Sequence, residues 1–247
     1  MEYVIQVEQL CKSYGRRYAL KNLNLSVERG TVFGLLGANG AGKSTAIECM
    51  LGTRQADGGT VRILGLNPHT ARKQLFERVG VQFQEANYQE KITVNELCMT
   101  TSSLYRSSTD YRSLLAKFEI DEKGNCLVKD LSGGQRQRLF IVLALLPAPE
   151  VIFLDELTTG LDAQARRNVW KIFCELKKQG LTILLTSHFM DEIETLCDSI
   201  CILKQGCPIF YGTVEEAVAA SPCDRFEEAY LWYTKEDGKD ETLFHDA

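Results

Sequence analysis

"TVFGLLGANGAGKST" (Thr31–Thr45) decides how the rest of the chain is read. Its first seven residues form an apolar run ending in glycine, the mark of a short buried strand. Its last nine, Gly37–Thr45, fit G-x-x-x-x-G-K-[ST], and "GKSTAIECMLG" continues as a helix that closes at Gly52. A strand, a glycine-rich loop and a helix start in that order make an anion cradle. Glycines let backbone N–H groups wrap a phosphate without side-chain obstruction, and the helix start favours negative charge. In such a loop Lys43 reaches the β- and γ-phosphates of a nucleotide, and the Ser44 hydroxyl sits on Mg²⁺. Gly37, Asn39, Gly40, Ala41, Gly42, Lys43, Ser44 and Thr45 are therefore candidate nucleotide-binding residues. The competing reading is a glycine-rich turn with a chance lysine. The strand–loop–helix context disfavours it.

Outward from this segment, short apolar runs alternate with helical stretches. "VIFL" (Val151–Leu154) and "LTILLTSH" (Leu181–His188) read as strands buried on both faces. "GGTVRILG" reads as a hairpin strand, "RVGVQFQ" as another strand after a short helix at about 72–77, and "SICILKQGCPIFYG" as a hairpin turning at Gln205-Gly206. Short helices are expected from Thr93 to about Lys117. "LDAQARRNVWKIFCELKKQG" is a helix with Asp162 as N-cap, and "FMDEIETLC" is another. Alternating strands and helices predict an α/β fold with a largely parallel sheet and helices on both faces. The helical stretch at about 86–146 interrupts that alternation as a subdomain. In such sheets chemistry gathers beyond the carboxyl ends of the strands. Three strands end in chemically loaded residues: "GANGAGKST", Asp155-Glu156, and "SH" with His188. Asp155 suits Mg²⁺, and Glu156 can polarise an attacking water. Alone, the pair would be two solvated carboxylates, and His188 a structural histidine.

"LSGGQRQRLFIVLALL" (Leu131–Leu146) poses a separate question. Glycine costs roughly 1 kcal/mol relative to alanine inside a helix, so a glycine pair belongs at an end. Ser132 and Gln135 have the spacing of a capping box. A helix start with bare glycines also binds anions. Both readings stand on these residues alone.

Composition narrows the function classes. The chain has 247 residues, 45% of them hydrophobic, enough for one large core or a core plus a small subdomain. Net charge is −5 with no long basic run, which argues against a nucleic-acid partner. The longest apolar run, Leu139–Ala148, is about half of what a spanning helix needs. "MEYVIQVEQLCKSYG" has no basic flank before an apolar core, so no signal peptide is expected. Nine cysteines without CxxC pairs are expected to be reduced cytosolic thiols; three histidines far from any cysteine cluster make a zinc site a weak alternative.

These motifs resemble the ATP-binding subunit of an ABC transporter. "GANGAGKST" is similar to the family's Walker A, "VIFLDE" to its Walker B, "LSGGQ" to its signature, "TTGLD" (Thr158–Asp162) to its D-loop, and "TSH" to its switch histidine. Gln84 falls at the Q-loop glutamine, and Tyr14 in "KSYG" at an aromatic that stacks on adenine. The likeness runs from about Val4 to Ala217. Leu157 and Ala38 stand where proline is common, but neither supplies a ligand. The resemblance implies a P-loop NTPase core with an N-terminal antiparallel β part, over one ATPase domain spanning 1–247. It implies ATP and Mg²⁺ as cofactors. Ser44, Gln84 and Asp155 would serve the metal, and Glu156, His188 and Gln84 catalysis. Ser132, Gly133, Gly134, Gln135 and Asp162 would contact the ATP of a second subunit across a two-fold dimer. A separate membrane permease is the implied partner, with this chain peripheral on the cytoplasmic face. The segments after the Walker B acids and "FEEAYLWYT", within a short C-terminal helix and tail at about 222–247, resemble the bacterial branch exporting drugs, lipids or antimicrobial peptides. The rival reading is a soluble ABC-type ATPase of iron–sulfur assembly. A translation or DNA-repair ATPase, with two cassettes or a long coiled coil, and a P-loop GTPase, with N-K-x-D, lack their marks here.

Overall fold

The computed structural model describes residues 2–82 and 88–235. Two sheets organise it. The smaller is antiparallel, ordered β2-β1-β4, from β1 (Tyr3–Tyr14), β2 (Arg17–Glu28) and β4 (Gly58–Ile63). The larger contains β3 (Val32–Gly37), β5 (Val79–Gln82), β6 (Val151–Leu154), β7 (Thr182–Leu185), β8 (Ser199–Lys204) and β9 (Cys207–Gly212). Its order is β5-β6-β7-β3-β8-β9, parallel except for the β8–β9 hairpin.

The period-2 geometry of a strand explains why the larger sheet reads as continuous apolar runs. In β3, Phe33 and Leu35 face a core shared with the antiparallel sheet, while Val32 and Leu36 face a second core. β6 divides likewise: Val151 and Phe153 to the first core, Ile152 and Leu154 to the second. Helix α1 (Lys43–Met50) fills the first core with Ile47 and Met50. The second is roofed by α5 (Gly133–Leu145), α6 (Ala163–Lys178) and α7 (Met190–Leu196), through Leu139, Val142, Val169, Phe173 and Ile193. Truncating any of these side chains to alanine costs roughly 2–5 kcal/mol.

Between the strands run α2 (Arg72–Phe76), α3 (Val94–Ser102) and α4 (Tyr111–Lys117); α8 (Val214–Ala219) and α9 (Phe226–Thr234) close the described chain. Thr93 caps α3 in a capping box with Glu96, and Asp110 caps α4. The β8–β9 turn has Gln205 at φ 50° and Gly206 at φ 79°, the paired left-handed conformations of a tight hairpin.

Two expectations need correction. "GGTVRILG" is not half of a local hairpin. Its strand β4 pairs antiparallel with β1, Ile5 opposite Ile63 and Val7 opposite Val61, because burial against the first core outweighs local turn chemistry. His188 does not end a strand either. β7 stops at Leu185, and His188 lies on the loop that follows. Gln84 and residues 236–247 of the tail fall outside the described residues. Among the described residues, no helix is long and apolar enough to cross a membrane.

Candidate nucleotide site

Strands β6, β7 and β3 are adjacent and parallel, so their carboxyl ends bring three distant segments to one sheet edge. From β3 the chain enters the glycine loop. Gly37 has φ 148°, and a Cβ there would stand 2.5 Å from the Leu203 carbonyl oxygen, so only glycine fits. Gly42, at φ 109°, caps α1 and would collide with the Ala19 carbonyl if it carried a side chain. Lys43 folds back over the loop, its Nζ donating to the Gly37 carbonyl at 2.7 Å and the Ala38 carbonyl at 3.3 Å. Burial lowers its pKa, and the nearby carboxylates of Asp155 and Glu156 oppose that shift. A largely buried ammonium held by two carbonyls against the glycine loop is suited to a polyphosphate.

From β6 come Asp155 and Glu156. Asp155 is buried, and its Oδ1 accepts from Thr186 Oγ1 at 2.6 Å. The same Thr186 hydroxyl accepts the Glu156 N–H at 2.9 Å, so β7 clamps both acids. Glu156 turns the chain sharply at φ 57°, rare for a residue with a side chain. That turn is held from α5: Gln137 Nε2 donates to the carbonyls of Glu156 at 3.1 Å and Leu157 at 2.9 Å. His188 Nε2 lies 3.0 Å from Glu156 Oε1, and Thr159 Oγ1 donates to Glu156 Oε2 at 3.2 Å. A left-handed backbone at a residue with a side chain is the kind of strain that clusters at functional sites, which makes Glu156 a candidate.

An open cleft of about 1010 Å³ lies over the glycine loop. Asn39, Gly40, Ala41, Gly42, Lys43, Ser44, Thr45, Glu156 and Tyr14 are among the residues that line it. Arg16 from the β1–β2 turn and Arg17, Tyr18 and Lys21 from β2 also line it, as do Lys204, Gln205 and Thr234. None of these seven was read from the sequence as a site residue. The only local trace is the density of cations in "YGRRYALK". Thr186 and Gln137 were missed as well, because their partners lie 19 to 31 residues away.

Ser132–Gln135 do not line this cleft. Ser132 and Gln135 close the capping box, with Gln135 N–H to Ser132 Oγ at 3.2 Å and Ser132 N–H to Gln135 Oε1 at 3.0 Å. Asp162 caps α6 through the Ala165 N–H at 2.9 Å. Gly134 packs against this region: a Cβ there would sit 3.1 Å from the Gly160 carbonyl oxygen and 3.2 Å from Leu161, whereas one at Gly133 would meet nothing.

The ABC transporter family model matches residues 20–159. The chain is 38% identical over 222 residues to Nod factor export ATP-binding protein I of Ralstonia nicotianae, covering 87% of this chain and 68% of that protein. The protein of that name from Paraburkholderia xenovorans is 37% identical over 233 residues, covering 92% and 76%. Among solved structures, an ATP-binding subunit of an ABC transporter superposes with a TM-score of 0.86 at 26% identity, over 94% of this chain and 100% of that one. A dimeric bacterial ABC transporter cassette gives 0.76 at 25%, over 85% and 98%. The chain belongs to the ABC transporter family, as an ATP-binding ATPase subunit that powers a separate permease. Such subunits work in pairs alongside membrane permeases.

Proposed function

We propose that this chain is the ATPase subunit of an exporter, one ATPase domain bound to its permease at the cytoplasmic face of a membrane. The export names of its relatives support the direction of transport, and they disfavour the iron–sulfur assembly reading. One observation carries the catalytic reading: the glycine loop, the Asp155-Glu156 pair and His188 meet at the ends of three adjacent strands, with His188 bonded to Glu156. Adenine stacks on Tyr14, Lys43 takes the β- and γ-phosphates, and Glu156 orients or deprotonates the attacking water with His188 holding the carboxylate. Mg²⁺ fits the donor chemistry, a Ser44 hydroxyl and the carboxylate of Asp155, oxygen ligands that leave coordination positions to phosphate and water. When bound, the ion neutralises charge on the phosphates. Gln84 is the further metal and catalytic candidate. Ser132, Gly133, Gly134, Gln135 and Asp162 serve the nucleotide of the partner subunit, since their own chain's cleft does not reach the signature. An open groove lined by Arg72, Phe76, Glu77, Leu104 and Tyr105, with Leu104 73% exposed, offers the permease both apolar and charged side chains.

Glu156→Gln keeps size and hydrogen bonding and loses basicity, so hydrolysis falls by on the order of 10² to 10⁴ while ATP binding persists. Size-exclusion chromatography with Mg²⁺–ATP should show this variant as a trapped dimer and Lys43→Ala as a monomer. Hydrolysis by Glu156→Gln near the wild-type rate would falsify the catalytic assignment.

A further inference from the structure

Glu192, in the first turn of α7, is fully buried at 0% exposure. Its Oε1 accepts from Thr158 Oγ1 at 2.8 Å and from Trp170 Nε1 at 2.7 Å. Its other oxygen is buried without a hydrogen bond of ordinary geometry among the described residues. Burial raises the carboxyl pKa, while Ser187, Trp170 and Thr158 favour the ionised form. Arg166 lies beside this cluster: its guanidinium is 4.4 Å from the Phe189 ring centroid and 5.8 Å from that of Trp170, and it pairs with Asp191 at 3.8 Å. A buried carboxyl is costly unless something is gained from it, and an apolar side chain would pack this space more cheaply.

What it joins is specific. Thr158 is two residues beyond Glu156, on the loop that leaves β6. Ser187 immediately precedes His188, on the loop that leaves β7, and its Oγ accepts the Phe189 N–H at 3.0 Å. Trp170 anchors Glu192 to α6. The Glu156 loop is thus bonded through Thr158 to Glu192, which stands four residues beyond His188 on the helix that continues the His188 loop, and Glu156 and His188 lie 3.0 Å apart. We propose that Glu192 is a positioning residue for ATP hydrolysis, holding the Glu156 loop, through Thr158, in register with the His188 loop that leads into its own helix. The inference rests on the catalytic reading of Glu156 and His188. Glu192 touches no nucleotide: it acts on the geometry of the chemical step and leaves ATP affinity alone.

The test compares Glu192→Ala, Glu192→Gln, Thr158→Val and the Glu192→Ala/Thr158→Val double variant, with Glu156→Gln as control. The measurements are the Kd for a fluorescent ATP analogue, binding stoichiometry, and steady-state kcat and KM. Rates are normalised to nucleotide-competent subunits, which removes any loss through misfolding. Thr158→Val keeps shape and deletes one donor, so it decides the matter if Glu192→Ala fails to fold. Expected are a roughly tenfold or greater fall in kcat for Glu192→Ala and Thr158→Val, with Kd and KM within about twofold. Glu192→Gln, which keeps the Oε1 acceptor, should restore most of the lost kcat. The double variant should be no slower than Glu192→Ala, since coupled residues are not additive. Unchanged kcat in Thr158→Val, and in Glu192→Ala where it folds, beside a dead Glu156→Gln, overturns the positioning role and leaves the catalytic reading standing. Parallel losses in Kd and kcat overturn it in favour of a purely structural carboxyl. An active Glu156→Gln overturns the catalytic reading itself.

Discussion

Tyr14 ends β1, is 46% exposed and lines the cleft over the glycine loop, flanked by cations rather than by core. Arg54 lies 5.5 Å and Lys12 5.6 Å from the ring centroid, each held by a carboxylate, Glu48 and Asp57. We propose that this half-exposed ring at the cleft is the platform for a purine, which would displace the long, flexible cations from its face; stacking tolerates the identity of the ring. Tyr14→Phe should bind ATP almost as the wild type does. Tyr14→Ala should lose about 1–3 kcal/mol, roughly 5- to 150-fold in Kd, by the scale of base–aromatic stacking. GTP should bind too, because stacking discriminates weakly between purines. Equal ATP affinity in all three proteins would take Tyr14 out of the site.

At the scale of elements, the antiparallel sheet presents the Tyr14 end of β1, and Asp57 secures it. The Asp57 carboxyl accepts from Lys12 Nζ at 2.8 Å, the Ser13 N–H at 2.7 Å and Ser13 Oγ at 2.6 Å, which lowers its pKa from 3.8 to about 2. A carboxyl depressed by folding contributes stability above its unfolded pKa and loses it as pH falls through the folded one. The wild type should therefore lose this contribution between about pH 3.8 and 2, and Asp57→Asn should flatten that part of the acid limb. Urea melts across pH 2–5 would show it. An unchanged slope in the variant would mean that the clamp adds nothing, the common fate of exposed pairs. Of the two elements involved, β1 was illegible and β4 only half legible. β1 is twelve residues long, but register shifts between Val7 and Leu10 and between Leu10 and Lys12 break its alternation. In the larger sheet the one such break falls in the β8–β9 hairpin, between Ile202 and Leu203, and its buried strands read from their own residues.

For the molecule as a whole, the proposed phosphate loop and the proposed anion-binding helix start, standing apart on one chain, would both be used in a two-fold pair, each chain completing the other's site. The geometry selects the probe. At Gly134 any side chain would press on Gly160 and Leu161, so a loss of activity there mixes packing with chemistry. At Gly133 a side chain enters open space, and aspartate in the first turn of a helix is favourable to the fold. Gly133→Asp should fold and bind ATP as an isolated subunit, yet place a carboxylate against the opposing γ-phosphate. Like charges juxtaposed across an interface cost several kcal/mol, on the order of 10² or more in rate. Mixed with Lys43→Ala subunits, it should regain partial activity, because each mixed dimer has one composite site free of both defects. A Gly133→Asp protein that hydrolyses ATP at the wild-type rate would remove the signature from the site.

The sequence by itself determined what contiguous backbone determines. A phosphate loop must be built from neighbouring residues, so Gly37–Thr45 carries its geometry in its order, and the capping box of Ser132 and Gln135 is local for the same reason. Strands buried on both faces announce themselves as apolar runs, which placed Asp155 and Glu156 at the end of one. Only the tertiary structure decided which distant groups hold those residues. Thr186 reaches Asp155 from 31 positions away, Gln137 reaches Glu156 from 19, and Thr158 and Trp170 meet on Glu192 across 34 and 22. Such partners obey no period or spacing. Each hydrogen bond satisfies a buried group that the packing of sheet and helices has already removed from water, so the choice of partner is made by the fold.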